Sequence, residues 1–206
     1  MGWMHESDTH VHEAALVAIF ADGTQSCGST MVDGVDYELV EVGRHQAADV
    51  AARASLPVRN RMAALGSDIA LRPSAEIAGW VLSCDCASLS SSEVSTWTDP
   101  DQWTRVPSAS LEDLTGHRVF APDTDLDVNA RPEVAEAARE VWRRKHLEPI
   151  DVDDEIRAAA DARRNANAQL DAAVARARRL GRSWADIGAA VGMTRQSANE
   201  RWRDRT

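Results

Sequence analysis

The chain has 206 residues, 44% of them hydrophobic and 27% charged, with a formal net charge of −10 at pH 7. That is enough apolar material for a real core, arranged as one large domain or, the better fit, two unequal ones. No segment approaches the run of about 20 apolar residues that crosses a bilayer. The N-terminus lacks a basic region followed by an apolar one, and Cys27, Cys84 and Cys86 are too few and oddly numbered for a disulfide framework, so a cytoplasmic protein is expected.

In chain order, Met1 to His12 is polar, contains His5, His10 and His12 without an apolar period, and reads as a loose terminus. Ala14 to Phe20 is a short apolar run. Asp22-Gly23 then favours a tight turn before Thr24 to Met31, and Asp33-Gly34 leads into the partly alternating Tyr37 to Val42. These segments predict a three-stranded antiparallel meander with one wet face, although Glu13 to Ile19 fits the start of a helix equally well. His45 to Ser55 is alanine-rich and helical in character; Pro57 allows a second helix that Gly66 stops. Ile77 to Cys86 reads as a strand, Ala87 to Val94 as a serine-rich loop, and Thr96 to Val106 as two arms around the Asp99-Pro100 turn. His117 to Ala121 is a last strand.

Beyond Pro132 the period becomes helical. Val134, Ala138, Val141 and Trp142 share one face as far as His146, and Pro149 is expected to end that helix. Acidic residues from Asp151 to Glu155 then open a long helix whose last turn holds Arg176, Arg178 and Arg179, as the helix dipole favours. Its apolar stripe ends at Leu180. Ser183 with Asp186 forms an acidic variant of the capping box, Gly192 stands where a helix ends in left-handed conformation, and Thr194 caps a final helix. The expected core of this tail is Leu170, Val174, Ala177, Leu180, Trp184, Ile187, Val191, Ala198 and Trp202.

Two short helices joined by a glycine turn make a helix-turn-helix, whose second helix enters the DNA major groove. Ser183 to Arg205 resembles the C-terminal helix-turn-helix of many actinobacterial and actinophage DNA-binding proteins, and more distantly the end module of sigma factors. The resemblance is confined to the tail. Charge agrees: Ala172 to Thr206 carries eight arginines against Asp186, Glu200 and Asp204, a net +5 on a chain that is otherwise −15. Residues at the start and outer face of the second helix, Thr194, Arg195, Gln196, Ser197 and Asn199, with Glu200 beside them, are the candidates for base contacts. Arg178, Arg179, Arg182, Ser183, Arg201, Arg203 and Arg205 are the candidates for phosphate contacts, which fix register without reading sequence.

The other motifs are weaker. Cys84-x-Cys86 places both thiols on one face of a strand, and Cys27, His10 or His12 can in principle complete a zinc site, yet zinc pairs are normally separated by about two to four residues. Burial of small thiols is therefore expected, and no cofactor or metal is assigned. Trp80, Trp97, Trp103 and Trp142 read as core or interface, and Asp99, Asp101, Asp123, Asp125 and Asp127 as a solvated acidic loop. No phosphate-cradling loop, nucleophile elbow or partnered catalytic cysteine is present in the sequence, so no catalytic residue is assigned.

The expectation is an α+β body of antiparallel sheet and helices (1–130), a helical support (131–165) and a helix-turn-helix (166–206). It describes a sequence-specific transcriptional regulator that binds double-stranded DNA as a homodimer, since one such module offers few base contacts. The competing readings are an adaptor, phage-related in character, whose acidic body binds another protein while DNA serves as a tether, and a serine-recombinase-like enzyme. The second would need an N-terminal catalytic serine with an arginine-bearing strand in a larger α/β domain, whereas the serines here read as loop or cap residues.

Overall fold

The computed structural model describes residues 2–123 and 125–205, the last by its backbone alone. Strand β1 (Trp3–Glu6) turns back into β2 (His10–Phe20), with Ser7 Oγ accepting from the His10 backbone N–H at 3.1 Å. The expected loose terminus is thus ordered strand. An inward-facing histidine at position 12, only 1% exposed, hides the alternation that would otherwise mark β2 from its start.

The Asp22-Gly23 turn forms, with Gly23 at φ +83°. The expected meander does not. Strands β3 (Ser26–Val32) and β4 (Val35–Glu41), joined by Asp33-Gly34 with both residues left-handed, pair with β5 (Ile69–Pro73) in a separate three-stranded antiparallel sheet. Strand β2 instead pairs along its whole length with β6 (Ile77–Ser88), and a single-residue bridge, Ile19–Gln25, lies between β2 and the residue before β3. Helices α1 (Arg44–Arg53) and α2 (Leu56–Leu65) connect β4 to β5. The first sheet runs β1-β2-β6-β8-β9, with β7 (Val94–Thr98) on the same edge of β6 as β8 (Trp103–Val106). Among the described residues, only β8 and β9 (Arg118–Phe120) pair in parallel. The fold is α+β.

Strict alternation along β2 and β6 sends His12, Ala14, Leu16 and Ala18, opposite Cys86, Cys84, Leu82 and Trp80, to one buried face. Helix α3 (Pro132–Trp142) supplies Val134, Ala135, Ala138, Val141 and Trp142 to the same core. It therefore belongs to the body rather than to a separate 131–165 support, and the chain divides into compact units Met1–Pro149 and Ile150–Thr206. Pro149 does not end a helix as expected. A π-helical turn (Arg143–Leu147) follows α3 and leads directly into α4 (Glu148–Arg179). Proline lacks an N–H and its ring crowds the carbonyl four residues back, here that of Lys145, and the wider π register immediately before it relieves that conflict.

In the second unit, α4, α5 (Trp184–Val191) and α6 (Arg195–Trp202) enclose Val174, Ile187, Ala198 and Trp202, with Leu170, Ala177, Trp184, Val191 and Met193 around them. The Trp202 indole N–H donates to Asp171 Oδ1 at 2.6 Å. Leu180, expected in this core, is 73% exposed, because α4 has already ended and the chain reverses at left-handed Gly181 (φ +80°); Met193 joins the cluster instead. No helix among the described residues is long and apolar enough to cross a membrane.

The entry to α3 is fixed by Arg131, whose Nη1 and Nη2 donate to the two Glu112 carboxylate oxygens at 2.9 and 3.0 Å, while Glu112 Oε1 also accepts from the Phe120 backbone N–H at 2.9 Å. Hydrogen bonding from Arg131 holds the Glu112 carboxyl below its ordinary value of 4.5. A carboxylate favoured in the folded state contributes stability above pH 4.5 and loses it as pH falls through the lowered folded value. Glu112→Gln is expected to lower stability by about 1–2 kcal/mol at pH 7. In urea titrations the difference from wild type should shrink as the pH is taken below 4.5.

Candidate metal centre and nucleic-acid interface

The buried face of the first sheet carries four potential ligands. Cys84 and Cys86, two apart on β6, point the same way; His12 on β2 lies directly opposite Cys86; and His146 arrives from the π-helical turn. All four are buried, and their ligand atoms lie within 4.8 Å of one another. Cys84 Sγ is 3.8 Å from Cys86 Sγ and 3.9 Å from His12 Nδ1, and Cys86 Sγ is 3.2 Å from His146 Nε2. Around a tetrahedral zinc ion, with metal–sulfur about 2.3 Å and metal–nitrogen about 2.0–2.1 Å, two thiolates sit about 3.8 Å apart and a thiolate and an imidazole about 3.6 Å apart. The cluster could hold a metal ion such as zinc.

Burial sets the protonation of the group. It pushes the Cys84 thiol up to about 12, with Cys86 adding to the shift, and the His146 imidazole down to about 4, with His12 adding. The neutral imidazole keeps a lone pair for a cation. The Trp142 indole N–H finds no hydrogen-bond partner of ordinary geometry among the described residues, yet it faces Cys84 and favours its thiolate.

The surroundings of His146 come from β7 and its exit. Trp97, opposite Cys84 in the register, stacks on the His146 ring at 4.6 Å and 20°. Two residues later Asp99, expected in a solvated loop, is fully buried; its carboxylate accepts from Lys145 Nζ at 2.8 and 3.0 Å, and Asp101 accepts from the same ammonium at 2.7 Å.

Of the ligands named as sequence candidates, Cys84, Cys86 and His12 come together. Cys27 is exposed on β3 in the other sheet, and the His10 ring, 5.9 Å from that of His12, lies outside the cluster. His146 was missed because no motif joins it to Cys86, 60 residues earlier.

The second unit builds its two short helices and the turn between them from local rules. The Ser183 hydroxyl accepts from Asp186 N at 3.2 Å, and the Ser183 backbone N–H donates to Asp186 Oδ2 at 3.2 Å, completing the capping box. Helix α5 ends at left-handed Gly192 (φ +71°), and the Met193 N–H reaches back to Gly188 O at 2.8 Å, a Schellman closure. Thr194 Oγ1 accepts from Ser197 N at 3.1 Å and caps α6. Ser183, Thr194 and Ser197 therefore spend hydroxyl capacity on caps. Arg195 and Gln196 are exposed on α6, Gln196 donating to Glu200 at 2.8 Å, and Asn199 is half-buried.

The phosphate candidates divide. Arg178 lies 4.4 Å over the Trp184 ring and donates to Arg182 O at 2.6 Å, and Arg201 lies 4.8 Å over Trp202 and donates to Asn167. Both brace the fold. Arg182 is 3.7 Å from Asp186 and Arg203 is 3.1 Å from Asp204. Arg179 and Arg195 are exposed and have no ion pair among the described residues; the side chain of Arg205 lies outside those residues.

No family model matches the chain, and neither a curated protein nor a solved structure matches it.

The turn crosses α5 at Gly188, where an added Cβ would stand 2.7 Å from Met193 O and 3.0 Å from Thr194 O, both backbone atoms. Gly188→Ala is expected to destabilise the second unit by about 1–3 kcal/mol, as overpacking does. Ala190→Ser, at an exposed position on the same helix, should have little effect. Thermal melts of the two variants followed by circular dichroism check the difference.

Proposed function

We propose that the protein binds double-stranded DNA in a sequence-specific manner, acting as a homodimeric transcription regulator whose α6 enters the major groove, and that its first unit carries a structural zinc ion. The observation that carries the DNA reading is the pair of capped helices α5 and α6, joined across Gly192–Met193–Thr194, with exposed Arg195 and Gln196 at the start of the second helix on the basic end of an acidic chain. Gln196 can pair bidentately with adenine, and Arg195 can pair with guanine or hold a phosphate. Exchange of its Glu200 contact for a base edge would cost Gln196 little, because the carboxylate is exposed. Two modules on half-sites one helical turn apart would supply the contacts that one lacks.

The zinc reading rests on the donor set. Two thiolates neutralise a divalent ion, so the loaded site adds no net charge to a buried face, and two imidazoles complete a four-ligand shell with no position left for water. Such a closed site stabilises a fold rather than activating a substrate. Protein purified from zinc-supplemented cells should contain about one zinc per chain by elemental analysis, and Cys84→Ser should carry far less; zinc-free wild-type protein would overturn this assignment.

The DNA reading is tested by selecting bound duplexes from a random pool and titrating the winner at several salt concentrations. Affinity should fall as salt rises, with a log–log slope of several units. Gln196→Ala should lower discrimination at one base position by about 1–3 kcal/mol, whereas Arg179→Ala should weaken all duplexes alike and reduce the slope by about 1. No enrichment, or a slope near zero, would sink the proposal.

A further inference from the structure

A histidine that ligates a metal is ordinarily aimed by its second ring nitrogen, which donates to a carboxylate or a carbonyl. His146 has no such partner among the described residues; its Nε2 lies 3.2 Å from Cys86 Sγ. Its residue type alone does not explain why the ring points into the cluster, since it stands in a π-helical turn, the least regular part of the α3–α4 segment.

Two features of β7 do explain it. The Trp97 ring lies flat against the imidazole, 4.6 Å away and tilted 20°, which fixes the ring plane. Asp99, at the exit of the same strand, is anchored by its N–H to Leu82 O at 2.9 Å and holds the ammonium of Lys145, the residue before His146, through both carboxylate oxygens. The Asp99 side chain is fully buried, so it cannot give up this cation without stranding a charge. Lys145 is also the only lysine in the chain. Because Trp97 sits opposite Cys84 in the β6–β7 register, one strand pair carries both the two thiols and the groups that aim the distant ligand.

We propose that the Asp99–Lys145 ion pair and the Trp97 ring are the positioning groups of the metal centre: they clamp the π-helical turn so that His146 closes the coordination shell begun by His12, Cys84 and Cys86. The inference rests on the zinc reading above. Metal binding then ties the end of α3 to the sheet, at a place where the three sheet-borne ligands are already set by backbone pairing.

The test uses the full chain with zinc in competition against a chromophoric chelator, and with cobalt as a spectroscopic substitute. Lys145→Met should weaken zinc about 10–100-fold, the range seen when outer supports of ligands are removed. With cobalt the thiolate charge-transfer band should persist while the d–d bands weaken and shift, as water replaces His146. Since Lys145→Met strands the buried Asp99 carboxylate and can unfold the chain, the double variant Asp99→Asn/Lys145→Met removes both charges together. It should recover stability yet keep the weakened zinc affinity and altered d–d bands. Trp97→Leu should shift the same bands without touching a charge. Wild-type affinity and d–d bands in both the double variant and Trp97→Leu would overturn the proposal while leaving the metal reading intact. Wild-type protein that takes up neither zinc nor cobalt would overturn the metal reading, and the positioning proposal with it.

Discussion

The register between β2 and β6 is the constraint on which the body depends. Pairing of His12 with Cys86 and of Ala14 with Cys84 decides which side chains face inward together. A slip of one residue would send Val11, Glu13 and Ala15 inward and carry His12 to the other face, losing the cluster and burying a carboxylate at once. The apolar part of the ladder, where Leu16 meets Leu82 and Ala18 meets Trp80, penalises that slip by exposing core side chains. The hydrophobic half of the strand pair thus maintains the alignment of its polar half.

Much of this was legible in the sequence, and the losses have identifiable causes. The glycine turns, α1, α2, the inner strand β6 and the α3 face follow from short-range patterns, so they read correctly. Strand β1 and the start of β2 were masked because His5, His10 and His12 look polar while the fold turns His12 inward. The meander failed for a different reason: Asp22-Gly23 specifies a turn but not which strand finally takes the edge of β2, a choice made by β6 from far along the chain. Nothing local to Asp99 signals Lys145, its partner 46 residues on, so its burial is not legible in the sequence around it. The histidine–cysteine cluster fell into the same gap. Cys84 and Cys86 were visible as a same-face pair, but His146 belongs with them only in three dimensions.

The second unit shows the opposite case. Ser183, Asp186, Gly192 and Thr194 each act within a few residues of themselves, so the caps and the turn appear where the sequence put them. The exception, Leu180, lies past the last turn of α4, where helical periodicity no longer governs direction. Local rules also explain why its arginines are unequal: those stacked on Trp184 and Trp202 support the helices that the others leave free.

The solitary lysine gives the body an unusual chemical simplicity. Burial disfavours its charge, but its hydrogen bonds to Asp101 and Asp99 outweigh that and raise its pKa, so the amine is held protonated and less nucleophilic. All other side-chain cations among the strong bases are guanidinium groups, which acylating reagents do not modify. Acylation at a lysine in this chain therefore has one address. Release of the turn that holds the Lys145 nitrogen would free its amine from two carboxylates and raise its reactivity, which makes the side chain a built-in reporter of whether that corner of the protein is closed.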